Sequence, residues 1–150
     1  MDTVSKALTD LLGDHGRGLL ATIKKDGRPQ LSVVAYSYDP AERVIRISVT
    51  DSRAKTRNLR RDPRASFEMT RSAYEFVVAE GTASLSPVAA EPDDAVVEEL
   101  VEHYRIVVGE HPDWAEFRAA MVTDQRLVIR IPVDHVYGIA PAASAASTED

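Results

Sequence analysis

The sequence predicts a mainly-β (α+β) fold, a small antiparallel barrel with helices inserted after its third strand and before its last. Three observations predict it. Short segments alternate apolar and polar residues at the period of a strand. Tight turns join the first three of them. The segments of helical period are few, and they interrupt the strands instead of alternating with each one. An antiparallel sheet of six or seven strands hides its edges by closing, or nearly closing, on itself.

The elements follow in order. Val4, Ala7, Leu8, Leu11 and Leu12 recur at helical spacing, and Gly13 with Gly16 ends that helix. Residues 18–24 read as an apolar strand, Asp26-Gly27 as a tight turn, and residues 28–38 as the returning strand with Pro29 at its start. A second turn at 39–42 leads to a strand over 43–50, with Ile45, Ile47 and Val49 on one face and Val44, Arg46 and Ser48 on the other. Residues 54–61 have sound helix propensity, Asp51 or Ser52 offers an N-cap, and Asp62-Pro63 stops the helix. Strands resume at 65–70 and 74–85, where Gly81 suggests a bulge or bend.

After a linker at 87–92 the pattern turns helical. Val97, Leu100, Val101, Tyr104 and Val108 share one face, with Glu98, Glu99 and Glu102 on the solvated side. Asp93 and Asp94 stand where the helix dipole favours anions. His111-Pro112 opens a further helix with Trp114, Phe117 and Met121 at core spacing. The last strand begins at Arg126 and runs past Pro132 toward Tyr137-Gly138. The pattern implies one domain over 1–140 and a disordered Ala/Ser-rich tail at 141–150.

Composition narrows the function classes. The apolar share of 44% with 28% charged residues is that of an ordinary soluble globular protein. No apolar run reaches the ~20 residues of a membrane span, and the N-terminus lacks the pattern of a secretion signal. The absence of cysteine rules out disulfides and thiolate chemistry, and the four histidines show no metal-ligand spacing. A cytoplasmic, metal-free protein with no membrane association is the expectation.

One stretch breaks the acidic character of the chain. DSRAKTRNLRRDPR, residues 51–64, carries six cations against two anions, a local +4 in a chain of −6, so the remainder sums to −10. A solvated cationic helix face is the plainest explanation. Nucleic-acid binding fits poorly, because the chain has a pI near 5.2 and no aromatic residue between Tyr38 and Phe67. A small phosphorylated ligand needs local positive charge, backbone N–H groups at a helix start and a hydroxyl, and SRAKTR after a strand supplies all three. No nucleophile elbow, zinc-protease motif, dinucleotide fingerprint or phosphate-binding P-loop is present. No catalytic side chain is assigned, so any reaction would be carried by a bound cofactor.

GLLATIKKDGRPQLS, SRAKTRNLRRDPRAS, VAEGTASL, DWAEFRAAMVTDQRLVIRIP and HVYG occur in this order over about 120 residues. This series resembles the split-barrel flavin and deazaflavin oxidoreductases related to pyridoxamine 5′-phosphate oxidase, and within them the actinobacterial branch that uses coenzyme F420. The resemblance implies a six-stranded split barrel with flanking helices, and a homodimer whose two cofactor sites lie between subunits. It implies that Arg53, Lys55 and Thr56, with Ala54 between them and Arg57 nearby, meet the cofactor phosphate. It places Gln30, Ser32 and Ser48 along the deazaflavin ring, Tyr74 and Phe76 over the ring or the phosphate from the partner subunit, and His135 as a late contact. Val33 departs from the family pattern, standing where relatives often carry Asn.

The expected activity is hydride transfer between F420 and a small conjugated acceptor. An FMN-dependent oxidase or reductase on the same fold, and a non-catalytic F420 carrier, are the alternatives. The excess of cations over one phosphate's need favours F420, whose polyglutamate tail is more anionic than FMN.

Overall fold

The computed structural model describes residues 5–14 and 16–140; the expected tail at 141–150 lies outside them. Helix α1 (Lys6–Leu12) precedes a meander of β1 (Gly16–Ile23), β2 (Pro29–Asp39) and β3 (Val44–Thr50). Gly27, at φ 89°, allows the first turn, and Arg28 leaves it in register so that Gly16 faces Tyr36 and Ile23 faces Pro29. In the second turn the Asp39 carboxylate accepts from the backbone N–H groups of Ala41 and Glu42 at 3.0 and 3.2 Å, replacing bonds the reversing chain cannot make.

Helix α2 (Ala54–Arg61) follows, then β4 (Arg64–Ser72), β5 (Glu75–Thr82) and β6 (Ser84–Leu85). Helices α3 (Ala95–Val107) and α4 (Trp114–Thr123) precede β7 (Arg126–Pro132) and β8 (His135–Ile139). The order across the antiparallel sheet is β6-β7-β3-β2-β1-β4-β5-β8. It curls into a half-barrel with flanking helices, as expected for a split barrel.

There are eight strands, not six. The stretch expected as one strand over 74–85 divides at Ala83, whose N–H donates to Pro63 O at 2.8 Å. Its first part pairs with β4 and β8, its last two residues with β7. The last strand also divides, at Val133 and Asp134. Their N–H groups turn to Arg43 O and Glu80 O, both at 2.9 Å, which moves the chain from β3 to β5.

Gly81 is not at a bulge. It pairs regularly with Ala65, and the register shift lies between Thr70 and Ser72. Glycine is needed at this position for close approach, because a Cβ there would fall 2.0 Å from the carbonyl oxygen of Pro132.

Alternation builds the interior. Ile45, Ile47 and Val49 of β3 and Ala65, Phe67 and Met69 of β4 are buried, as the sequence pattern requires. The rings of Tyr36 and Phe67 meet edge-on with centroids 4.6 Å apart, and the Tyr36 hydroxyl donates to Leu12 O at 2.8 Å, pinning α1 across the barrel end. A second core joins Val97, Leu100 and Val101 of α3 to Phe117 of α4 on Val128, on the outer face of β7. Asp94 and Asp113 cap these helices by accepting from Val97 N and Glu116 N, both at 3.1 Å. His111 therefore precedes α4 instead of opening it, and its Nδ1 accepts from Asp113 N at 2.9 Å.

Two positions at α3 depart from the expected faces. Val108, just beyond its end, is 64% exposed. Glu99 does not face open solvent, because its carboxylate accepts from Arg46 Nε at 2.6 Å and Arg130 Nε at 2.8 Å, clamping α3 to β3 and β7. Burial pushes its pKa up, but the bonds from Arg130 and Arg46 outweigh this and hold it below the usual 4.5. A depressed carboxylate stabilises the fold above its unfolded pKa and loses that contribution as pH falls through the folded value. Glu99→Gln is therefore expected to lower thermal stability at pH 7 and to make it less sensitive to acid below pH 4.5. Parallel stability–pH curves for the two proteins would contradict this role.

Candidate functional site

A groove of about 450 Å³ lies on the outer side of the barrel, between the sheet and the two long helices. Alternation on β2 and β3 supplies its floor, with Val33, Ala35, Ser48 and Thr50 pointing away from the core. Its roof comes from α3 and α4, through His103, Tyr104, Val108, Phe117 and Met121. At one end Arg53 and Lys55, from the start of α2, meet Arg126 from the start of β7. Among the described residues no Asp or Glu lines this groove.

Three cations without a carboxylate partner among the described residues raise the energy of the free site. Burial lowers the Lys55 pKa below 10.5, and the charges of Arg53 and Arg126 push it the same way. Arg126 Nη1 donates to Ser48 Oγ at 3.4 Å. Its Nε is buried and has no hydrogen-bond partner among the described residues. A buried, unpaired donor costs about 1–3 kcal/mol, more when charged. An anion in the groove would satisfy that donor and offset the repulsion, so the residues present fit a phosphate-bearing group.

The other cations of the basic segment are engaged within the chain. Arg57 donates to Ser52 O, Arg60 pairs with Asp51, Arg61 donates to Ile23 O and Asn58 Oδ1, and Arg64 pairs with Asp62. The segment's +4 thus overstates the charge facing a ligand. Asp51 and Ser52 do not cap α2; Arg53 is the N-cap residue and makes no side-chain cap bond. Ala54 is the first helical residue, so the start of the helix dipole opens at the cationic end of the groove.

The structure brings Ser48, Arg53 and Lys55 together and places the remaining expected residues elsewhere. Thr56 is fully buried, its hydroxyl donating to Thr50 O at 2.9 Å to hold α2 against the end of β3. Gln30 accepts from Asn58 Nδ2 at 3.0 Å, and Ser32 shares its face of β2, opposite Val33 and Ala35. Tyr74 is 77% exposed in the β4–β5 turn, and Phe76 faces Ile139 across β5 and β8. His135 pairs with Glu80 and borders a separate hollow with Arg64 and Asp134. None of these residues lines the groove.

Sequence reasoning missed Arg126, His103 and Tyr104 as groove residues. Arg126 alternates with the buried Leu127 in β7, which marks it as outward-facing. Its place beside Ser48 depends on the pairing of β3 with β7, where Thr50 faces Arg126. Among the described residues no group of three or more His, Asp or Glu side chains could hold a metal. No helix among them is long and apolar enough to cross a membrane.

Residues 4–140 match the family described as pyridoxamine 5′-phosphate oxidase. Among solved structures, the fold resembles a conserved hypothetical protein of Mycobacterium tuberculosis at 24% identity and TM-score 0.69, covering 91% of this chain and 85% of that one. An F420 reductase is similar at 23% identity and TM-score 0.66, with 89% and 98% covered. A haem storage protein of Vibrio cholerae has the same fold at 15% identity and TM-score 0.61, with 93% and 96% covered. The split barrel with flanking helices and the family match over nearly all of its length make this chain a member of the pyridoxamine 5′-phosphate oxidase family.

Proposed function

We propose that the protein is an oxidoreductase that holds the deazaflavin coenzyme F420 and transfers a hydride between it and a small conjugated organic acceptor. The observation that carries this reading is the convergence of Arg53, Lys55 and Arg126 on one groove with no carboxylate among the described residues to balance them. When bound, the deazaflavin supplies the hydride chemistry. Arg53, Lys55 and Arg126 fix the anionic end, and Ser48, held by Arg126, offers a hydroxyl along the floor. Val33, Tyr104, Phe117 and Met121 make the other walls apolar and limit water there.

FMN is the second reading, favoured by one specific observation. Two of the six cations in the basic segment reach the groove, and with Arg126 they make three, a number that one phosphate also satisfies. Titrating the protein with oxidised F420 and with FMN under fluorescence polarisation separates the two. Equal, weak binding of both would overturn the F420 reading. Oxidation of reduced F420 by a panel of conjugated acceptors then separates an enzyme from a carrier.

The site is proposed to be completed by a second copy of the chain. The outer sheet face exposes Leu31 (61%), Val33 (69%), Tyr137 (49%) and Ile139 (45%), an apolar face that water disfavours. Tyr74, Phe76 and His135 reach a groove only if a partner supplies them. Leu31→Glu is expected to yield a folded monomer with weakened F420 binding, checked by sedimentation and polarisation. A dimer of unchanged affinity would contradict this arrangement.

A further inference from the structure

His103 is buried on the inner side of α3 and lines two cavities at once. One is the cationic groove. The other, of about 480 Å³, lies between α3 and the β2–β3 edge and is bordered by Asp39, Arg46, Glu98, Glu99 and Glu102. We propose that His103 is a proton-coupled ligand-binding residue of the groove, which takes up a proton when a multiply charged anion binds and so becomes a fourth cation there. This deepens the reading of the groove as an anion site and rests on it.

The charges around the ring favour such coupling. From the groove, Arg53, Lys55 and Arg126 oppose a positive charge on His103 as long as no anion is bound. From the other cavity, Asp39 and the helix neighbours Glu99 and Glu102 favour it. Glu99 is already shared by Arg46 and Arg130, Arg46 also lies 3.8 Å from Asp39, and Glu98 and Glu102 pair with Arg118 and Arg105, so these carboxylates are largely compensated. Phe117 and Met121 of α4 add no charge. A dianion among the three cations reverses their combined effect on the ring, and by linkage the protonated ring binds the dianion more tightly.

The hydrogen bond to β2 is compatible with both charge states. Ser37 Oγ and His103 Nδ1 are 2.8 Å apart. A hydroxyl can donate to a neutral imidazole nitrogen or accept from a protonated one, so proton uptake need not break this contact. Free imidazole titrates near pH 6.5, within the range that the test below scans.

Sulfate is the suitable probe because it stays a dianion across this range. The imidazole signals of the full-length protein are followed by NMR from pH 5 to 9, with and without sulfate. The His103 signal is identified by its loss in His103→Asn, or in His103→Gln should the first variant not fold. The expected result is an upward shift of the His103 midpoint by about one pH unit, equivalent to about tenfold tighter sulfate binding by the protonated form. Sulfate affinity of the unmodified protein should rise by a similar factor from pH 8 to pH 5.5, and that of His103→Asn should not. An unshifted midpoint, equal pH dependence in the two proteins, or no sulfate binding at any pH would overturn the proposal. Polarisation with F420 on the same samples reports separately on the cofactor reading.

Discussion

Replacing Lys55 and Arg126 together with alanine is expected to weaken binding of F420 by about 3–5 kcal/mol, each charge-assisted contact contributing about 1.5–3 kcal/mol. The free protein should not lose stability in step. Lys55 sits in its folded position with a pKa below 10.5, lowered first by burial and then by Arg53 and Arg126. A base with a depressed folded pKa disfavours folding at neutral pH, because the unfolded chain binds the proton more tightly. Removing it relieves that cost. The two measurements therefore separate a binding residue from a structural one, with affinity falling steeply and the melting temperature holding or rising.

The pH dependence of binding has a definite sign. A bound anion favours the charged ammonium, so affinity should fall as pH rises through the depressed Lys55 pKa, and this alkaline decline should be absent in Lys55→Ala. Wild-type affinity in Lys55→Ala would show that the basic segment is a surface feature.

The largest expected loss of stability comes from Phe67→Ala. Phe67 is fully buried at the centre of the barrel, in edge contact with Tyr36. Truncating such a ring costs about 3–5 kcal/mol, and at about 2–4 °C per kcal/mol for a chain of this size the melting temperature should drop by roughly 10 °C. Gly18 is part of the same packing, because a Cβ there would lie 2.1 Å from the Phe67 ring. Gly18→Ala alone should destabilise by forcing the ring to move. In the double variant the methyl enters space the ring has vacated, so the combined cost should be less than the sum. Strict additivity in that cycle would show that the ring does not explain the glycine.

Much of this architecture was legible locally. The meander, the span of α2 and the buried faces of β3 and β4 follow from alternation, turn chemistry and Pro63, all interactions within a few residues. The division of the later strands was not legible, because it depends on distant carbonyls. Arg43, Pro63 and Glu80 accept bonds that break the chain at Ala83 and at Val133–Asp134. Glu99 read as solvated for the same reason, since its partners Arg46 and Arg130 lie on strands far away in sequence.

For the site the division follows the same physics. Charge and pattern alone show that a cationic segment follows a strand and opens a short helix, with Arg53 and Lys55 at its start. Charge count and local propensity suffice for that. Tertiary structure decided which charges remain for a ligand. Ion pairs and carbonyl contacts engage Arg57, Arg60 and Arg64 locally and Arg61 through the distant Ile23 O, whereas the pairing of β3 with β7 brings in Arg126, 62 residues after Arg64. Packing of α3 and α4 over the outer sheet face adds His103 and Tyr104. A binding site's electrostatics depend on distances in space, and sequence fixes those only within a turn or a strand.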